Sequence, residues 1–235
     1  MKRIIYSHYR RDEIKTFLQS LGKKHLDILF IGATGVGKSS TLNSIITATV
    51  SRVGKGVDPE TSDIKPYKLN REIILWDTPG LGDSPRADRK YENQIFKLLH
   101  VKKTNADGSS SPLIDLVVLI MDGSSREMGT TFTLLTGKLK KMLRKERLMV
   151  IVNQADCAMH SHEKFFTNTK HNTTPELIAF LEEKVISIKN RIAESTGFSI
   201  AKPLYYSAKY KYNIKTIFDS ILDTILSKIH RNKTL

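Results

Sequence analysis

The sequence predicts an α/β fold: a mostly parallel six-stranded sheet covered by helices on both faces, with one antiparallel strand at its edge. Three observations carry that prediction. Short apolar runs alternate with helical patterns along almost the whole chain, the rhythm of repeated βαβ units. Two of the runs, 64–69 and 72–77, are joined by little more than Asn70 and Arg71. So short a connection makes that pair antiparallel. The glycine-containing polar motifs each follow directly on an apolar run. This places them beyond the carboxyl ends of strands, where sheets of this kind bind ligands.

The elements follow in order. Residues 10–21 form an amphipathic pattern with Ile14, Phe17, Leu18 and Leu21 on one stripe, a helix expected to pack on the rest of the protein. On that basis the chain divides into a helical segment, 1–24, and a main domain, 25–235. Strands are expected near 26–32, 64–69, 72–77, 113–121, 148–153 and 203–206, and helices near 38–48, 88–101, 130–145, 175–195 and 213–230. The helix at 175 has the sharpest start, with Thr174 as N-cap and Pro175 in the first helical position. Residues 102–112, Lys-Lys-Thr-Asn-Ala-Asp-Gly-Ser-Ser-Ser-Pro, have the composition of a surface loop. Residues 157–174 read as an insertion carrying His160, His162 and His171. Only Glu163 accompanies them, so they read as solvated histidines rather than metal ligands.

Composition sets the bounds. A chain of 235 residues suits one α/β domain with a full core. Hydrophobic content of 40% and charged content of 26% are those of an ordinary globular protein, which argues against a disordered or fibrous chain. The single cysteine, Cys157, excludes an internal disulfide. No apolar run approaches the roughly 20 residues of a membrane span, and the start lacks the apolar stretch of a signal peptide, so the cytoplasm is the expected location. The net charge is +14. Such an excess suits RNA, the ribosome or an anionic membrane as partner, or a set of solvated helix faces.

Residues 32–39, Gly-Ala-Thr-Gly-Val-Gly-Lys-Ser, fit the pattern of a phosphate-binding P-loop between a strand and a helix. The backbone N–H groups of Gly32, Ala33, Thr34, Gly35, Val36 and Gly37 would cradle phosphate oxygens, aided by the helix N-terminus that runs through Ser40. Lys38, expected as an exposed cation at the loop's end, would reach the β- and γ-phosphates, and the Ser39 hydroxyl would ligate Mg²⁺. The run Ile73-Ile74-Leu75-Trp76 delivers Asp77, followed by Thr78-Pro79-Gly80. Asp77 would hold the Mg²⁺ and the Gly80 N–H would sense the γ-phosphate. Another run ends in Asn153-Gln154-Ala155-Asp156. Its Asp156 carboxylate can accept from the N1–H and 2-amino group of guanine. Adenine lacks that donor pair, so the choice is guanine. Asn153 would contact N7 and tie this loop to the P-loop, and the stem of Gln154 would cover the base. Ser207-Ala208-Lys209 follows the last strand, with the Ala208 N–H aimed at guanine O6.

In this order the four elements resemble the G1, G3, G4 and G5 motifs of the GTPase superfamily, over about residues 25–231. The wording of 32–40 and 77–84 is similar to the translation-factor-related class, near the Era, septin and Toc/GIMAP groups. Asn153–Asp156 is most similar to the small YfjP/YeeP-like bacterial GTPases. The resemblance implies a three-layer P-loop G domain, GTP/GDP as ligand and Mg²⁺ as cofactor. It also implies a switch threonine contacting Mg²⁺ and γ-phosphate; Thr61 matches best and Ser62 is the alternative. Where Ras-like members orient the attacking water with a glutamine, this chain has Leu81, which implies slow hydrolysis. Glu60, Asp83, Ser84 and Arg86 are candidates to replace it. Septin and Toc/GIMAP relatives dimerise across the nucleotide face. A homodimer of that kind is expected here, with Arg86, or Arg126, acting across the interface. The function expected is a GTPase switch. The alternative is a nucleotide-stabilised binding module with little hydrolysis.

Overall fold

A computed structural model describes residues 5–46, 63–124, 140, 147–159 and 174–227. Thr61 and Ser62, Glu60, Arg126, nearly all of the 130–145 helix and the three insertion histidines lie outside the described residues. The elements in order are α1 (Arg11–Ser20), β1 (Leu26–Ile31), α2 (Lys38–Ile45), β2 (Lys65–Lys68), β3 (Ile73–Asp77) and α3 (Pro85–His100). They continue with β4 (Lys102–Thr104), β5 (Ser110–Pro112), β6 (Leu116–Asp122), β7 (Leu148–Asn153), α4 (Pro175–Thr196), β8 (Leu204–Tyr205) and α5 (Ile214–Leu226). The main sheet runs β2-β3-β1-β6-β7-β8. Every neighbouring pair is parallel except β2–β3, in which Lys65 faces Asp77 and Lys68 faces Ile74. This is the expected six-stranded sheet with one antiparallel edge.

The central strands are apolar at nearly every position because both of their faces are covered. Every residue of β1 is buried, and β6 is buried up to Asp122. One face carries a core of Ile28, Phe30, Leu42, Tyr206, Ile217 and Phe218, under α2 and α5. The other carries Leu29, Trp76, Ile95, Leu98, Val185 and Ile188, under α3 and α4. Helix α1 adds Ile14, Phe17 and Leu18 to the first core. The Tyr6 ring meets Phe218 edge-on at 5.1 Å, and Arg10 pairs with Asp223 at 2.6 Å. Leu21 departs from the expected stripe. It is the residue that ends α1 and is 37% exposed.

Two further expectations are corrected. Helix α3 begins at Pro85 rather than 88. Ser84 caps it, accepting from the Ala87 N–H at 3.2 Å, and Pro85 takes the first position. This is the same start as at α4, where Thr174 accepts from Leu177 N–H. The stretch 102–112 is a β-hairpin rather than a loop, with Lys102 opposite Pro112 and Thr104 opposite Ser110. Only its tip has turn chemistry: Gly108 sits at φ +80° and the Asp107 carboxylate accepts from the Ser109 N–H at 2.9 Å. The tip docks through the Ala106 N–H, which donates to the Gly22 carbonyl at 2.9 Å. No helix among the described residues is long and apolar enough to cross a membrane.

Candidate functional site

The loop after β1 turns with Gly35 and Gly37 in the left-handed region, at φ +82° and +87°. At Gly37, which precedes α2, a Cβ would lie 2.3 Å from Asn153 Nδ2, so no other residue fits. Lys38 is 6% exposed, not the free cation expected. Its Nζ donates to the carbonyls of Ala33 at 2.8 Å and Gly32 at 3.1 Å, folding the loop around itself. Burial pulls its pKa down, and Asp77 and Asp83 oppose that.

Asp77 arrives at the end of β3 directly beside α2. The Ser39 hydroxyl donates to its Oδ2 at 2.9 Å, while its Oδ1 is buried with no hydrogen-bond partner. Burial raises this carboxyl above the usual range, against the Ser39 hydrogen bond and the Lys38 charge. A buried carboxylate oxygen without a donor, next to a hydroxyl, fits a hard divalent cation that keeps waters and phosphate oxygens as its remaining ligands. Among the described residues there is no cluster of three or more His, Cys, Asp or Glu that could hold a metal by itself. This donor set therefore suits Mg²⁺ bound together with a phosphate ligand.

A cavity of about 580 Å³ opens over these groups, between Thr34, Lys38 and Ser39 on one side and Asp77, Gly80 and Asp83 on the other. Its size is that of a small-molecule site. Asp63 and Lys65 close the third side. Asp63 is tied to α3 by Lys90 at 2.7 Å and by Gln94 at 3.1 Å. The Lys90 contact, then that of Gln94, holds its carboxyl below the usual range.

The Leu81 side chain turns away from the cavity. It is 1% exposed and part of the core under α3. Its backbone bridges the P-loop: Thr34 N–H donates to Leu81 O at 2.7 Å, and Leu81 N–H to Gly32 O at 3.3 Å. Gly80 is pressed so closely on Thr34 that a Cβ would lie 2.3 Å from the Thr34 hydroxyl. Arg86 is exposed in the first turn of α3 and does not line the cavity.

The base end is built around Asn153, buried at the end of β7. Its Nδ2 donates to Val36 O at 2.9 Å and its Oδ1 accepts from the Ala208 N–H at 3.0 Å. One amide thus joins three loops. The Ala208 N–H, expected to face a guanine oxygen, is engaged by Asn153 instead. Gln154 reaches the P-loop as well, donating to Gly35 O at 2.8 Å. Asp156 is nearly buried in the short turn that follows, and its Oδ2 lies 3.3 Å from Cys157 Sγ. Burial, then this carboxylate, raises the thiol to about 11, so Cys157 is a thiol rather than a reactive thiolate near neutral pH. Ser207 accepts from the Tyr210 N–H at 3.2 Å, and Lys209 is exposed above the Tyr210 ring.

The structure therefore gathers 32–40, Asp77 and Gly80 around one cavity and fastens 153–154 and 208 to the back of the P-loop. It leaves Arg86 apart. Sequence reasoning missed Thr41 and Tyr206, which brace the helix behind the P-loop. Thr41 Oγ1 donates to Gly37 O at 2.8 Å, and the fully buried Tyr206 hydroxyl meets it at 2.6 Å. The available signal was a tyrosine directly before Ser207 and a threonine one helical turn after Gly37.

The AIG1 family model matches residues 26–199. The probable GTP-binding protein EngB of Aquifex aeolicus (strain VF5) is 34% identical over 56 residues, which span 24% of this chain and 30% of that protein. Toc33 from Arabidopsis thaliana in complex with Mg²⁺ and GMPPNP has the same fold. It aligns with a TM-score of 0.59 at 15% identity over 96% of this chain and 97% of that one. Another structure of the chloroplast translocon components atToc33 and psToc159 aligns at 0.59 and 16% identity, over 93% and 90%. Era of Aquifex aeolicus bound to GDP·AlF₄⁻ aligns at 0.52 and 15% identity, over 86% of this chain and 57% of that one.

Proposed function

The chain belongs to the AIG1 family and has the fold of a P-loop GTPase domain, and from this we propose that it is a guanine-nucleotide switch that binds Mg²⁺ with GTP and hydrolyses it slowly. The observation that carries this reading is the Ser39–Asp77 pair, with its unpartnered buried oxygen, at the floor of a cavity rimmed by the P-loop. When bound, the ion would neutralise charge developing on the β- and γ-phosphate oxygens. Ser39 and Asp77 would hold it, with Thr61 as the third protein ligand. Lys38 and the N–H groups of residues 32–40 would hold the phosphates, and the Gly80 N–H would meet the γ-phosphate. Asn153, Gln154, Asp156, Ser207, Ala208 and Lys209 would form the base pocket. For the Ala208 N–H to reach the base, its bond to Asn153 must give way.

Slow hydrolysis follows from the inward turn of Leu81, which leaves the attacking water without an orienting amide. Dimerization is important for the GTPase activity of atToc33 and psToc159. The same arrangement here would bring an exposed Arg86 from a second copy to the phosphates. A positive charge there is worth several powers of ten in rate. Specific activity should then rise with protein concentration, and Arg86→Ala should abolish the rise. A rate per molecule that is independent of concentration and unchanged in Arg86→Ala would rule out both the dimer mechanism and the arginine. The second reading, a nucleotide-stabilised module contacting RNA, the ribosome or an anionic membrane, is favoured by the buried Leu81 and the +14 charge. Single-turnover hydrolysis at high protein concentration separates the two, since a pure binding module would leave GTP intact.

A further inference from the structure

A second cavity, of about 220 Å³, lies at the opposite end of the sheet, by the amino ends of β1 and β6. It is bounded by residues 22–25, the tip of the β4–β5 hairpin and Asp115. Four basic side chains line it: Lys23, Lys24, His25 and Lys103. Two carboxylates stand against them, and both are fully engaged. Asp115 accepts from Lys23 at 2.5 Å on Oδ1 and from the Asp27 N–H at 2.9 Å on Oδ2. Asp27, 0% exposed, accepts from the Trp76 indole N–H at 2.8 Å on Oδ1. Its Oδ2 is shared by His25 Nδ1, at 2.8 Å, and by the Lys103 ammonium. Those two nitrogens also lie 3.0 Å apart, so an unprotonated Nδ1 accepts from the Lys103 ammonium, whereas a protonated one donates to Asp27. Lys24 is exposed and has no side-chain partner among the described residues.

An ammonium has three donors. Lys23 spends one on a carboxylate, Lys103 spends one on a carboxylate and a second on His25 when Nδ1 is unprotonated, and Lys24 spends none within the described chain. Three lysines against two carboxylates thus leave the cavity with a surplus of donors and of positive charge. We propose that it is an oxyanion site for one phosphate group, either free or as the monoester of a small molecule. Its volume is below the roughly 300–1,000 Å³ of larger ligand sites, which suits a group of that size. Charge-assisted bonds from Lys24 and Lys103 would supply the affinity. A bound oxyanion would also give Lys103 an acceptor other than Asp27. Because Asp27 is bonded to Trp76, the only tryptophan in the chain, occupancy changes the surroundings of a built-in fluorophore. The site does not depend on nucleotide binding and stands or falls separately from it.

The test titrates the full chain with inorganic phosphate, with phosphoserine and with sodium chloride, at constant ionic strength because exposed charges are screened by salt. Trp76 emission and the amide resonances of residues 23–25 and 103–106 are followed. Phosphate should give a saturable change at both. The change should persist in Lys38→Ala, which removes the P-loop ammonium, and weaken about tenfold in Lys24→Glu, which alters only an exposed side chain. Phosphoserine binding more tightly than phosphate identifies a monoester as the ligand, and the reverse identifies the free anion. A response that disappears in Lys38→Ala but survives in Lys24→Glu places the phosphate in the nucleotide cavity and overturns the proposal. A response that chloride reproduces overturns it too.

Discussion

Asp156→Asn should lose most of its affinity for GDP and GTP and gain affinity for xanthine nucleotides. The carboxylate offers two acceptors to the N1–H and 2-amino donors of guanine. The amide replaces one acceptor with a donor, which opposes the 2-amino group but suits the 2-oxo group of xanthine. The position is nearly buried, so the mismatch is poorly relieved by water. The cost should be about 2–4 kcal/mol, or roughly 30- to 1,000-fold in Kd. Titration calorimetry with GDP, XDP and ATP measures it. Wild-type protein that bound ATP as tightly as GTP would remove Asp156 from base selection altogether.

Lys38→Ala should remove triphosphate binding and leave the fold intact. The loss should be on the order of 3 kcal/mol, about a hundredfold, as for a charge-assisted bond left unmade. Two consequences combine. The cation facing the phosphates disappears, and the carbonyls of Gly32 and Ala33 lose the ammonium around which the loop is wrapped. Lys38 belongs to the loop and to neither apolar core, so the domain should stay folded. Titration with a fluorescent GTP analogue, alongside circular dichroism, reads the two effects separately. Full affinity in the variant would exclude the P-loop as the phosphate site.

The scaffold of this site was legible because its signals are local. Ile28–Ile31 and Leu116–Met121 are uninterrupted apolar runs, as strands covered on both faces must be. Glycine spacing within 32–39 and the strand before Asp77 place the P-loop and the carboxylate with no knowledge of the rest. What stayed hidden depends on partners distant in sequence. Lys38 looks like a loop-end cation until the loop closes over it. Leu81 occupies the slot after an Asp-x-x-Gly motif, yet its direction is set by a bridge to Ala33, 48 positions upstream, which turns the side chain into the core. Asp27 would pass as a polar interruption in β1, but it is buried with partners as far off as Trp76 and Lys103. The hairpin at 102–112 was missed because its strands have three residues each and their serines carry the composition of its turn.

The bridge between Ala33 and Leu81 joins two loops that lie 48 positions apart in the chain. With Thr34 N–H on Leu81 O, Leu81 N–H on Gly32 O, and Gly80 seated against Thr34 without room for a methyl group, neither loop can lift away alone. Segments tied in this way open as a unit. The amide protons of Thr34 and Leu81 should therefore exchange with deuterium at matching rates. A nucleotide leaving the cavity would wait on that same shared opening event.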